Sequence, residues 1–255
     1  MIKITDTHTH YNDKAFDSDR YELIQRLLDS CCENIMIIGW DLDSSKRAAE
    51  IAERFPGVYA AVGIHPENCK GVPDSALYEV EALAAHEKVR AIGETGLDFH
   101  FEGCDRAEQE DRFIAQLGIA KKLSLPSVIH SRDAAEPTLK ILREYKPRAV
   151  MHCYSGSAQT AKEITALGLM ISFTGVLTFK NTRKAAEACK AVPDDRLMLE
   201  TDCPYMSPVP HRGERCDSGM LIHTAARAAE IRGTDTESLI KMCNDNAARF
   251  FRILN

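Results

Sequence analysis

The chain opens without a long apolar run: Met-Ile-Lys-Ile-Thr-Asp turns polar at once, so neither a signal peptide nor a membrane span is expected there. It also lacks a CxxC pair. Nine cysteines are scattered over 255 residues, an odd count that suits reduced thiols in a cytoplasmic protein better than a disulfide framework. Basic excess is missing too. A formal net charge of −6 and a pI near 5.9 argue against a protein that coats nucleic acid, which would show a basic stripe. A nuclease stays open, because bound divalent cations are themselves large local positive charges. No Gly-x-Gly-x-x-Gly follows the first apolar run, which leaves a dinucleotide-binding sheet without local support. No linker, low-complexity stretch or strong repeat divides the chain, and 44% hydrophobic residues can bury one sizeable core. The expectation is a single domain over 1–255.

What recurs is a short apolar, β-branched segment. Such segments lie at 2–6, 34–39, 58–63, 89–94, 126–130, 148–153, 169–173 and 196–201. They are continuous rather than alternating, the pattern of parallel strands buried on both faces. Amphipathic helical stretches fill the gaps at 19–32, 44–55, 74–86, 106–123, 134–145, 158–167 and 181–191, with two more at 219–233 and 236–254. Gly118 and Gly168 are expected where a helix ends or packs closely. Eight strand–helix alternations define an α/β protein and close into a (β/α)8 TIM-like barrel; an open doubly wound sheet is the rival architecture.

In such a barrel chemistry sits at the carboxyl ends of the strands, and these ends are polar. The first gives Asp6-Thr7-His8-Thr9-His10, where His8 and His10 point the same way from an extended chain and can chelate one cation. The third gives Gly63-Ile64-His65-Pro66 and the fourth Gly93-Glu94-Thr95-Gly96-Leu97-Asp98. The fifth gives His130-Ser131-Arg132-Asp133, the sixth His152-Cys153-Tyr154-Ser155-Gly156, and the eighth Glu200-Thr201-Asp202-Cys203-Pro204. One buried histidine is ordinarily a hydrogen-bonded core residue. Apolar strands that end repeatedly in His, Glu and Asp point to a ligand.

These motifs, in this order from residue 6 to about 215, resemble those of the TatD family, metal-dependent deoxyribonucleases of the amidohydrolase superfamily. The resemblance implies a distorted (β/α)8 fold and two divalent cations (Mg, Mn or Zn). It makes His8, His10 and Asp202 ligands of one metal and Glu94 the bridge, with His130 and His152 completing the second. It further implies a water activated by two metals that cleaves phosphodiester bonds of DNA, acting from an end, with Asp202 as general base beside Glu94. His65, Arg132 and Arg212 are candidates to meet the substrate phosphate; for His65 a cap or supporting role is the alternative. Asp6 reads as an imidazole-orienting acid or a strand-end cap, Asp98 as a stabiliser of the Gly96-Leu97 turn, and Lys180 as a further phosphate contact or a surface ion pair. Cys153 and Cys203 read as small buried neighbours rather than nucleophiles.

The loop Pro210-His211-Arg212-Gly213-Glu214-Arg215 follows the family, but Cys216-Asp217-Ser218-Gly219 stands where Asn-Glu-Pro is usual. Arg212 and Arg215 would still bring charge, and Asp217 would replace the missing acid only in part. That departure leaves a second reading, an esterase, deacylase or lactonase acting on a small molecule or an aminoacyl-tRNA ester. A third, a non-catalytic binding protein on a decayed scaffold, is disfavoured because all six expected ligands are present. No protein partner or membrane is indicated, and a monomer or weak oligomer is expected.

Overall fold

The computed structural model describes residues 2–253. Each expected apolar segment forms a strand: β1 (Ile4–Thr9), β2 (Cys32–Ile38), β3 (Val58–Val62), β4 (Val89–Asp98), β5 (Ser127–Arg132), β6 (Ala149–Met151), β7 (Met170–Phe173) and β8 (Leu197–Leu199). They follow one another in the order β1 to β8 in one sheet. Side chains on both faces are buried, as with Ile35, Met36, Ile37 and Ile38 on β2, all at 0% exposure. Each such side chain contributes about 1.5–3 kcal/mol, enough to offset the 1–2 kcal/mol that ordering its backbone costs.

Among the described residues nine α-helices occupy the gaps: α1 (Arg20–Ser30), α2 (Leu42–Glu53), α3 (Ser75–Ala84), α4 (Arg106–Leu123), α5 (Ala135–Tyr145), α6 (Ala158–Ala166), α7 (Arg183–Ala191), α8 (Leu221–Arg232) and α9 (Thr236–Phe251). The α2 start is a capping box, with Asp41 accepting from the Ser44 amide and Ser44 from the Asp41 amide. Gly168 ends α6 in the left-handed region at φ 83°, as expected. Gly118 does neither of the two things expected of it: it lies inside α4, and a Cβ there would meet nothing within 4 Å. Position 254, the last of the expected ninth helix, lies outside the described residues. No helix among the described residues is long and apolar enough to cross a membrane.

Two compact units are distinguished. One takes the residues up to Ile37 with those from His152 on; the other is Ile38–Met151. In the first, β1 pairs in parallel with β2 and β7 with β8. There β1 also meets the chain just beyond β8: Thr9 bridges Cys203, the Asp202 amide donates to the His8 carbonyl at 2.9 Å, and the His10 amide to the Cys203 carbonyl at 2.8 Å. Helix α9 packs on both β1 and β8, and its Asn244 side chain accepts from the Thr5 amide at 2.9 Å while Asn246 donates to the Leu197 carbonyl at 2.8 Å. In the second unit β3, β4, β5 and β6 form successive parallel pairs.

Candidate metal centre

In the first unit, the strand ends of β1 and β8 gather three donors. His8 and His10 are two residues apart, and their Nε2 atoms come within 3.2 Å. Asp202 Oδ1 lies 3.6 Å from His8 Nε2 and 3.3 Å from His10 Nε2. A tetrahedral cation with bonds of about 2.0–2.1 Å has ligand–ligand edges of about 3.3–3.4 Å, so this triangle fits one. Imidazole with carboxylate and no thiolate suits zinc, manganese or iron, and carboxylate-rich surroundings tolerate magnesium.

Asp202 reaches this position in the left-handed region, at φ 60°, a conformation that Asp tolerates better than most residues. A buried strap sets that bend. Asp6 accepts from the Thr201 amide at 2.9 Å and from the Thr201 hydroxyl at 2.6 Å, which ties β1 to the residue before Asp202. Asp6 is therefore the strand-end cap. Burial pushes its carboxyl up to about 7, against the lowering by those hydrogen bonds. Burial also acts to raise Asp202, but the His10 hydrogen bond and the charges of His8, His10 and His152 outweigh it and hold the carboxyl below its usual range.

His152 follows β6 and stacks on His8, with ring centroids 4.1 Å apart and planes 12° from parallel. Its Nδ1 lies 3.6 Å from Glu200 Oε1. Glu200 Oε1 accepts from the Cys153 amide at 2.5 Å and Oε2 from the Ser172 hydroxyl at 2.6 Å. These bonds fix the carboxylate beside His152, and with His8 and His152 it forms a group able to hold a metal ion. Sequence reasoning passed over this role, although an acid two residues before Asp202 on a buried strand end was the available signal. Cys153 and Cys203 are the inert neighbours expected. Burial raises the first thiol to about 12 and the second well above its ordinary value.

The second unit brings together Glu94, His130 and His65, from the ends of β4, β5 and β3. His130 stands between two carboxylates, with Nδ1 3.0 Å from Glu94 Oε1 and Nε2 2.9 Å from Asp98 Oδ2. A neutral imidazole donates to only one of them, so both contacts together call for a positive charge, on the ring or beside it. A metal cation held by Glu94 and His130 would supply it, with Asp98 holding the other nitrogen, the usual carboxylate–histidine–metal pattern. Asp98 serves the turn as well: Oδ1 accepts from the His100 amide at 2.9 Å and the Phe101 amide at 3.0 Å. Burial acts to raise its carboxyl, yet His130 and the two amides keep it below the usual range.

His65 takes the cap and supporting position considered for it. Its Nδ1 accepts from the Glu67 amide at 3.2 Å, capping a short 3-10 turn, and its Nε2 lies 3.5 Å from Glu94 Oε1. Because Nδ1 accepts, Nε2 carries the proton, so His65 is a donor here and not a ligand.

The arginines separate. Arg132, at the end of β5, is exposed. Arg212 donates to the Ser207 carbonyl at 3.1 Å and lies over the Phe179 ring at 3.7 Å. Arg215 is committed elsewhere: it pairs with both Asp19 oxygens at 2.9 and 2.6 Å, so the phosphate role considered for it is replaced by an ion pair. Lys180 is exposed. The departing segment 216–219 is built into the fold. Cys216 and Ser218 are buried, the Tyr11 hydroxyl lies 2.9 Å from both the amide and the hydroxyl of Ser218, and Asp217 accepts from the Gly219 amide at 2.8 Å.

Strand succession and donor chemistry define a metal-dependent hydrolase of the (β/α)8 class. The TatD related DNase family model matches residues 5–252, running through both units. The metal-dependent hydrolase YabD of Bacillus subtilis is 39% identical over 251 residues, covering 97% of this chain and 98% of that one. The 3'-5' ssDNA/RNA exonuclease TatD of Cronobacter sakazakii is 36% identical over 247 residues, covering 92% and 93%. The crystal structure of YJJV, a TatD homologue from Escherichia coli, superposes with a TM-score of 0.93 at 26% identity, covering 98% of each chain. The chain belongs to the TatD related DNase family.

Proposed function

We propose that this chain hydrolyses phosphodiester bonds of DNA from an end, with two divalent cations held by His8, His10, Asp202, His130, His152 and a bridging Glu94. The observation that carries the reading is the His8–His10–Asp202 triangle, whose 3.2, 3.3 and 3.6 Å edges match one cation. Curated relatives named as 3'-5' ssDNA/RNA exonucleases, at 36% and 35% identity, supply the substrate. Bound cations supply Lewis acidity and lower the pKa of water to near 7. Asp202, kept ionised among imidazoles, accepts the proton of the attacking water. His65 offers its Nε2 proton to a phosphate oxygen, and Arg132 meets the same charge from the end of β5. Asp98 holds His130 at its working angle, and Glu200 lies 3.6 Å from His152 Nδ1.

The segment 216–219 favours no second reading, since its side chains are spent on caps and burial. A cytoplasmic setting belongs to this proposal, because nine free thiols suit a reducing compartment. The test is to strip the protein with chelator, reload it with Mg²⁺, Mn²⁺ or Zn²⁺, and offer end-labelled DNA beside a panel of esters. Shortening of DNA from one end is expected; turnover of an ester with no DNA loss under any metal would overturn the proposal.

A further inference from the structure

The loop after β8 carries an exposed aromatic that the metal centre does not use. Tyr205 is 54% exposed, and Met206 and Val209 are 36% and 46% exposed. The Tyr205 amide donates to the Asp202 carbonyl at 2.9 Å, and its ring meets His10 edge-on at 6.4 Å between centroids. The aromatic face is thus tied by one hydrogen bond to a candidate ligand. The loop is also firmly seated. A Cβ at Gly175 would come within 2.2 Å of the Met206 carbonyl oxygen, the Val209 amide donates to the Thr178 hydroxyl at 2.8 Å, and the Ser207 hydroxyl to the Glu214 carbonyl at 2.6 Å. Arg212 donates to the Ser207 carbonyl of this loop and lies over Phe179, and the exposed Lys180 follows that ring in the chain.

A rigid ring, a few apolar neighbours and flanking cations next to a phosphoester-cleaving centre make up the chemistry that grips single-stranded nucleic acid. We propose that Tyr205 is a stacking platform for the base of the terminal nucleotide, an inference that rests on the nuclease reading above. The charge decides the occupant. Lys180 and Arg212 match a phosphate backbone, and three exposed apolar side chains are too few for a membrane surface. Tyr205 is then a substrate-binding residue, and an unpaired terminal base is what it receives, since a paired base keeps its face within the duplex stack.

The test is binding without turnover. In chelator, fluorescein-labelled single-stranded oligothymidylate is titrated into wild type, Tyr205→Ala and Tyr205→Phe, beside oligonucleotides made abasic at the 3' or the 5' terminal position. Stacking on one aromatic is worth roughly tenfold in affinity. Wild type is expected to bind one of the abasic oligonucleotides roughly tenfold more weakly than the intact one. Tyr205→Ala is expected to weaken intact oligonucleotide by a similar factor and that abasic one by less than twofold; Tyr205→Phe should match wild type. With metal restored, Tyr205→Ala should raise KM with kcat within about threefold. Indifference of wild type to both abasic ends overturns the proposal without any variant, as does an equal loss for intact and abasic DNA in Tyr205→Ala. Wild type that degrades DNA in either case leaves the nuclease reading standing; wild type that neither binds nor degrades DNA removes both.

Discussion

In the first unit, His8, His10 and Asp202 converge because of how the chain runs: an extended HxH on β1, a left-handed turn at Asp202, and the Asp6–Thr201 strap between them. In the second, hydrogen bonds hold imidazole rings. His130 is gripped by Asp98, and His65 has its tautomer set by the Glu67 amide. One candidate site is thus placed chiefly by backbone geometry and the other by hydrogen bonds to imidazole nitrogens. The difference teaches where each is vulnerable. A side-chain-held ligand is loosened by one conservative substitution nearby, whereas a backbone-held ligand is lost chiefly through its own replacement or through the fold.

The largest expected effect removes the carboxylate assigned to both metals. Glu94→Ala should bind neither cation and lose at least about a thousandfold in hydrolysis, the scale of giving up metal activation of water. Asp202→Asn should lose about 10²–10⁴ in kcat, the range of a general base, while keeping most of its metal. Metal analysis beside kinetics distinguishes them. Full occupancy in Glu94→Ala would remove the bridge, and parallel losses of metal and rate in Asp202→Asn would remove the base.

The comparison is sharpened by the two orienting acids. Asp98→Asn should cost about 10–100-fold in metal affinity or rate, because His130 then has no carboxylate on Nε2. Glu200→Gln should cost less, since Glu200 only approaches His152, at 3.6 Å, and the stack on His8 remains. Equal losses in metal titrations of the two variants would erase the contrast between backbone-held and side-chain-held ligands.

The strands and the candidate ligands at their ends were legible because burial on both faces leaves an uninterrupted apolar run that ends abruptly in His, Glu or Asp, as at Ile92-Gly93-Glu94. Asp98 was read as a turn residue ahead of a chemical role, because a single sequence cannot show that β5 places Arg132 beside it and His130 within reach. Glu200 escaped for the same reason: its partners Ser172 and the Cys153 amide are 28 and 47 residues away. The Arg215 ion pair was not foreseen because its partner Asp19 is 196 residues distant in sequence. Chemistry confined to one strand end was readable; pairings made across the sheet were not.

The smallest effects concern the arginines, and they also test what separates a committed charge from an available one. Arg215 spends its guanidinium on Asp19, and the pair pulls the Asp19 carboxyl below and the Arg215 guanidinium above their ordinary values. Its side chain is 37% exposed, so screening keeps the pair to about 1 kcal/mol or less. Arg215→Ala should therefore lower the melting temperature slightly and leave the KM for DNA unchanged. Arg132→Ala should do the reverse, raising KM a few-fold at low salt with the melting temperature unmoved, and the increase should shrink as salt rises. A KM effect in Arg215→Ala as large as in Arg132→Ala would mean that DNA binding opens the Asp19 pair, and the division between structural and substrate-facing arginines would have to be redrawn.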